Sequence, residues 1–418
     1  MTRKALSLAL SLALSLLLLL PGCAAREAPA DYTLAAAADL HYISPALTDG
    51  GAAFSALVEA GDGKLMHEIE ALTDAFLDEV IAARPEALLL LGDLTFNGAL
   101  ESHRALAEKL RRVEEAGIPV LVTTGNHDLD NPSAAAFAGD SYRLVPSADS
   151  AAFRRIYADF GYDEALSRDA DSLSYVYPLN AATRVLMLDF NTAAHPCGVS
   201  ESTLLWVRDE LRAAKKAGQH VLAAGHQNLM QLSMFREGYV IDRSDELLGL
   251  FARYDVPLYL SGHLHAQRWR TEQGVTEIAT SALSVFPCQY ALLRSHDGRI
   301  VYDARPTDVS SWADARGRTE PELLDFAAHA AERFDARSRR QLPEALAPFG
   351  YPPEQLARLV ESFCALNRAS FSGDLRDTAA CEASAALWEE DPSLYGLYVR
   401  SLREDFGRDY RHWENAAP

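Results

Sequence analysis

Five short polar motifs interrupt the apolar runs of this chain: Asp39-Leu40-His41, Gly92-Asp93-Leu94, Gly125-Asn126-His127-Asp128, Gly225-His226 and Gly262-His263-Leu264-His265. They hold five of its 12 histidines. Imidazole and carboxylate groups suit first-row transition metals, Asn adds a neutral oxygen, and an Asp can bridge two ions because each oxygen can take one. Two ions roughly 3.5–4 Å apart can hold a hydroxide between them and clamp a phosphoryl group for in-line attack. Glycine beside the ligands permits sharp turns and close approach of substrate. Each motif alone is weak, because Asp-x-His pairs are common in surface loops and Gly-Asp usually marks a turn. All five in one chain, each at the end of an apolar run, make coincidence a poor explanation. No nucleophile motif competes: Gly-x-Ser-x-Gly is absent, and neither Cys197 nor Cys288 has an activating context.

The elements that must position these residues are legible as runs and periods. Thr33–Ala38, Ala87–Leu91, Val120–Thr123, Arg184–Leu188, Val221–Ala224 and Pro257–Leu260 are apolar and mostly continuous, as expected of strands buried on both faces. Between them, Leu65, Ile69, Leu72, Phe76 and Val80 recur at helical spacing up to Arg84-Pro85. Leu100, Leu106, Leu110 and Val113 do so before Gly117, and further helices are expected over Ser202–Lys216 and after Ser244. Strands alternating with helices predict an α/β domain, whose ligands bind beyond the carboxyl ends of the strands. Gln289–Leu293 and Arg299–Tyr302 read as a hairpin turning through Asp297-Gly298. Residues 307–418 are rich in Ala, Glu, Arg and Leu at helical spacing, with no clear strand, which sets a boundary near 305. The stretch Tyr42–Gly63 is expected as a rim loop, and His195-Pro196-Cys197-Gly198 as a turn. Phe153, Ile156, Tyr157 and Phe160, in the insertion Leu129–Asp171, are expected to pack on the core, with a lid as the alternative.

The chain has 418 residues, 49% hydrophobic and 23% charged, which fits a large folded domain plus a smaller one. Its formal net charge of −20 argues against a nucleic-acid-binding surface. Arg3 and Lys4, then the apolar run Ala5–Leu20, describe an export signal. Gly22-Cys23 resembles the lipobox of bacterial lipoproteins, with Pro21 a departure from its usual residue. That resemblance implies a signal peptide over residues 1–22, lipidation of Cys23, a tether over 23–30, and a membrane-anchored protein outside the cytoplasm. Cys364 with Cys381 is the natural local disulfide, leaving Cys197 and Cys288 for a second; unpaired buried thiols are the alternative.

The motif series resembles the calcineurin-like metallophosphoesterase superfamily over about residues 33 to 280. The resemblance implies a four-layer α/β/β/α sandwich over residues 31–305, followed here by an all-helical C-terminal domain over 306–418. It implies two divalent or trivalent transition-metal ions (iron, manganese or zinc). Asp39, His41 and His265 would hold the first, Asn126, His226 and His263 the second, and Asp93 would bridge them. His127 would stabilise the transition state or protonate the leaving group, with Asp128 as an orienting neighbour. A metal-bridging hydroxide would attack phosphorus directly. The Asp-Arg-Gly of the protein phosphatases is absent after Asp93, so the chain is more similar to the branch with class III cyclic-nucleotide phosphodiesterases. Asn97 and His103 are expected in helix-start or surface roles rather than on substrate. The implied partner is a phosphate-ester small molecule, diester or monoester, with a nucleotide as one candidate. The alternative is a catalytically silent envelope-binding module that keeps the fold, disfavoured because every expected ligand is present.

Overall fold

The computed structural model describes residues 31–415. The expected export signal, Cys23 and the expected tether lie outside the described residues. Thirteen strands build two sheets. In chain order they are β1 (Tyr32–Ala37), β2 (Ala87–Leu91), β3 (Val120–Thr123), β4 (Ser167–Arg168), β5 (Tyr175–Pro178) and β6 (Thr183–Met187). Then come β7 (His220–Ala224), β8 (Leu258–Ser261), β9 (Arg268–Glu272) and β10 (Val275–Ala279). The last three are β11 (Gln289–His296), β12 (Arg299–Pro306) and β13 (His412–Glu414). One sheet runs β13-β12-β11-β1-β2-β3, with β1, β2 and β3 parallel. The other runs β9-β10-β8-β7-β6-β5-β4, with β6, β7, β8 and β10 parallel.

Side-chain alternation along β6 shows how the sheets stack. Val185 and Met187 enter the core shared with β1, β2 and β3, whereas Leu186 and Leu188 enter a second core with Leu204, Leu211 and Phe251. The helices Glu201–Lys216 and Ser244–Arg253 therefore cover the outer face of the second sheet. The helices Ile69–Ala83 and Leu100–Glu115 add Leu72, Phe76, Leu106 and Leu110 to the first core. Helix, sheet, sheet, helix is the four-layer order expected, with both strand sets buried on two faces.

Three expectations change. The first helix begins at Ile69, not Leu65, because Leu65 N–H donates to Ser284 O at 2.8 Å and ties the preceding stretch to the sheet end. The C-terminal segment is not strandless: β13 pairs with β12 and buries Trp413 against the first core. A three-residue edge strand has too little alternation to be seen in sequence. Finally, Cys197, Cys288, Cys364 and Cys381 are all free thiols, and neither guessed pair forms.

The C-terminal helices Phe326–Leu346 and Pro353–Ser372 share a core of their own through Leu342, Leu359, Phe363 and Trp388. They also dock on the sheet ends, where Phe334 packs against Ala282 and Val285. Among the described residues no helix is long and apolar enough to cross a membrane.

Candidate metal centre

The motifs leave their strands through unusual backbone. Asp39, His41, Asp93, His263 and His265 all have positive φ, between 47° and 63°. That conformation costs a non-glycine residue roughly 1–2 kcal/mol, and it persists only where surroundings impose it. Here the turns bond to each other. Asp39 N–H donates to Gly92 O at 3.1 Å, His41 N–H to Asp93 O at 2.9 Å, and Gly262 N–H to His226 O at 2.9 Å. Close approach also explains two motif glycines. A Cβ on Gly92 would lie 2.7 Å from the His226 ring, and one on Gly125 would lie 2.2 Å from Asp93 Oδ1.

The result is two adjoining groups of ligand atoms, each within 4.8 Å: Asp39, His41, Asp93 and His265 in one, Asp93, His226 and His263 in the other. Asp93 belongs to both. In the first, His41 Nε2 lies 3.4 Å from His265 Nε2 and 3.6 Å from Asp93 Oδ2, and His265 Nε2 lies 3.3 Å from Asp39 Oδ1. In the second, His226 Nε2 lies 3.4 Å from Asp93 Oδ2 and 3.2 Å from Asn126 Oδ1. All seven sequence-predicted ligands are thus brought together. Donors that share an ion at about 2.0–2.2 Å each stand roughly 3–3.5 Å apart.

Two further observations fit a cation. Asp39 Oδ1 is fully buried and has no hydrogen-bond donor. An orphaned carboxylate oxygen of this kind is costly unless a positive charge faces it. Two of the imidazoles are also set up as ligands, because outer partners hold their other nitrogens. His226 Nδ1–H donates to Leu91 O at 2.7 Å, and His263 Nε2–H to Gly238 O at 2.8 Å, leaving His226 Nε2 and His263 Nδ1 for an ion. Burial, foremost, keeps His41 neutral, with its pKa well below the ordinary value, and lowers that of His263 to about 4. Burial also opposes charge on His226, but Asp93 outweighs it and raises the pKa to about 9. Asp93 itself stays ionised: burial opposes its charge, and the surrounding imidazoles hold its pKa well below the usual value.

His127 and Asp128 separate in role. His127 Nδ1–H donates to Phe96 O at 2.8 Å, which turns Nε2 toward the centre, 3.9 Å from Asp93 Oδ2. Its ring is 35% exposed and open to substrate. The Asp128 carboxylate instead accepts N–H groups from Gly125 at 2.8 Å, Thr95 at 2.9 Å and Leu94 at 3.1 Å, and the Thr95 hydroxyl at 3.0 Å. Phe96, not Asp128, orients the imidazole. Burial first, and the nearby Asp93 charge second, raise the Asp128 pKa to about 6.

Other expectations resolve plainly. His103 stands in the first turn of the helix Leu100–Glu115, as one of its two expected roles had it, but it is buried rather than on the surface, bonded to Asp128 O at 2.9 Å and Tyr157 Oη at 3.0 Å. Asn97 is buried too, its amide donating to Ser133 O. Phe153, Tyr157 and Phe160 pack in the core, so the insertion's aromatic residues do not form a lid. The His195-Pro196 segment forms a small hairpin with Asn191-Thr192. The rim stretch 42–63 is partly helical, over Ala52–Ala60, and its Asp62 reaches inward. Asp62 Oδ2 lies 3.5 Å from His265 Nδ1 and bonds to Lys64. Sequence reasoning missed this residue, although its place between Gly61 and Gly63 marks a backbone built for close approach. It also missed Glu277, a buried carboxylate that accepts from Asn228, Leu229, Met230 and Ser261 and anchors the turn after His226.

A family model described as calcineurin-like phosphoesterase matches residues 32–267, a block that contains all seven candidate ligands and His127. The chain belongs to the calcineurin-like phosphoesterases. A probable cyclic nucleotide phosphodiesterase from Rhodococcus erythropolis is 28% identical over 225 residues, 51% of this phosphoesterase and 64% of that protein. A second protein of the same description, from Ruthia magnifica subsp. Calyptogena magnifica, is 42% identical over 55 residues, 13% and 22% of the two chains. The chain thus spans less than two thirds of the length of either curated relative it matches. Among solved structures, a dimetal phosphatase from Danio rerio superposes with a TM-score of 0.47 at 15% identity, covering 66% of this chain and 96% of that one.

Proposed function

We propose that the chain is a metal-dependent hydrolase of phosphate esters, with Asp39, His41, Asp93 and His265 holding one ion and Asp93, Asn126, His226 and His263 the other. The observation that carries this reading is the position of Asp93 between two imidazole groups, beside an orphaned Asp39 oxygen. Iron, manganese or zinc held by these residues would supply Lewis acidity toward water and the phosphoryl oxygens. The remaining work falls to the chain. Its strained turns fix the donors before substrate arrives, so no reorganisation is needed during reaction. Phe96 O retains the Nδ1 proton of His127, so a proton on Nε2 is free to pass to the leaving-group oxygen. Asn126, exposed beside His226, is placed to contact a phosphoryl oxygen as well.

The substrates in this proposal are small phosphodiesters or monoesters. The printed description of the relatives as probable cyclic nucleotide phosphodiesterases favours a nucleotide diester. The reading extends to an exported, lipid-anchored enzyme, on the strength of Arg3, Lys4, the apolar run and Gly22-Cys23. Residues 31–305 as a catalytic domain, with 306–418 as a mainly helical C-terminal domain docked on it, complete it. The test is hydrolysis of bis-p-nitrophenyl phosphate and p-nitrophenyl phosphate by the purified chain with added manganese. Turnover lost on chelation and restored by metal is expected; absence of turnover on both esters would overturn the proposal.

A further inference from the structure

We infer that the metal centre continues into a subsite that takes a planar aromatic group of the ester, and that the C-terminal helices form its far wall. This rests on the hydrolase reading above. A cavity of about 400 Å³ opens between the second sheet and the helices. Leu264, between the ligands His263 and His265, lines it, and so does Tyr239. The Tyr239 ring lies 5.1 Å from the His263 ring, so the cavity begins where the donor set ends. Phe235 stacks beside Tyr239 at 6.0 Å and 26°, and is 41% exposed, leaving an aromatic face uncovered.

The opposite wall comes from Phe371, Ser401, Glu404 and Asp405. It is held in place rather than loosely apposed. The buried Arg268 guanidinium on β9 donates to Ser370 O and Ser370 Oγ, both at 2.7 Å, and lies 5.0 Å from the Tyr410 ring. The chemistry of the two walls is complementary to one kind of ligand. Aromatic faces on one side stack a planar ring, and on the other the exposed Glu404 carboxylate accepts from donors on its edge, while Asp405 is held by Tyr410 Oη and Arg268. A phosphate ester with an aromatic, hydrogen-bond-donating group, such as a nucleobase, fits both walls.

The test uses two non-hydrolysable anions with the same head group, phenylphosphonate and methylphosphonate, titrated by calorimetry into the manganese-loaded full chain. Phenylphosphonate is expected to bind more tightly by about tenfold, the factor that an aromatic pair worth about 1.4 kcal/mol contributes. In Ser401→Trp, which fills the cavity from an exposed helical position, that ratio is expected to fall toward one. Phe235→Ala, at an exposed site on the other wall, should lower it too. Equal affinities in the wild type, or a ratio unchanged in both variants, would overturn the subsite. Methylphosphonate binding that is the same with and without manganese would overturn the hydrolase reading and the subsite with it, because its head group addresses the metal centre alone.

Discussion

Asp128→Ala separates a structural role from a catalytic one, and its cost follows from the hydrogen bonds. The wild-type carboxylate accepts the buried N–H groups of Leu94, Thr95 and Gly125, as well as the Thr95 hydroxyl. Alanine leaves three backbone donors without partners in a region closed to water. Each unsatisfied buried group costs about 1–3 kcal/mol, and partial relaxation makes the sum less than additive, giving a loss of about 3–6 kcal/mol. That is a large share of the ~5–15 kcal/mol by which a domain is stable. Asp128→Asn keeps one acceptor oxygen and should lose less. The assay is urea unfolding followed by tryptophan fluorescence, with hydrolysis measured well below each midpoint. If Asp128→Ala unfolded within about 1 kcal/mol of wild type yet lost hydrolysis by 10²-fold or more, the carboxylate would be acting on His127 and the clamp assignment would be refuted.

Three further outcomes are expected. His127→Ala should retain both metals yet lose roughly 10²–10⁴ in rate on an alkyl ester, and an unchanged rate would remove its role as acid. Asp62→Ala should weaken one of the two metal sites by about 10–100-fold in a competition titration, since the carboxylate orients His265 through Nδ1. The third concerns pH. Burial lowers the His103 pKa to about 4, so between pH 6.5 and 4 the unfolded chain binds a proton that the folded chain does not. Stability from this group is therefore full above 6.5 and is lost as pH falls to 4, by up to about 3 kcal/mol. Asp128, with a raised pKa, gives a slope of opposite sign, so the His103→Gln difference in melting midpoint across this range isolates the histidine.

Eight of the thirteen sheet strands were legible, most of them because a strand buried on two faces is written as continuous Ala, Leu and Val, whereas β4, β5, β9, β10 and β13 were not read. The candidate ligands were legible because His, Asp and Asn at the ends of such runs have few other uses. What escaped depends on distance in the chain. Asp62 is a rim residue by sequence, and only the docking of Leu65 on Ser284 brings it beside His265, about two hundred residues later. Asp128 follows His127 directly, but the turn sends its carboxylate back onto the second motif rather than onto its neighbour. Left-handed backbone at Asp39 or His263 has no sequence signal, because glycine is the usual mark of that conformation and these positions carry candidate ligands instead. The single buried Trp413 of β13 and the aromatic pair Phe235–Tyr239 are too short to form a period.

The most direct test of the dinuclear reading is a metal count on the purified chain and on Asp93→Ala, each saturated with manganese, desalted and analysed for elements. The wild type should retain about two ions per chain, because the two donor groups share only Asp93. The variant, with circular dichroism showing the fold intact, should retain fewer than one. A wild type that holds a single ion or none, or an Asp93→Ala protein that still holds two, would contradict the account.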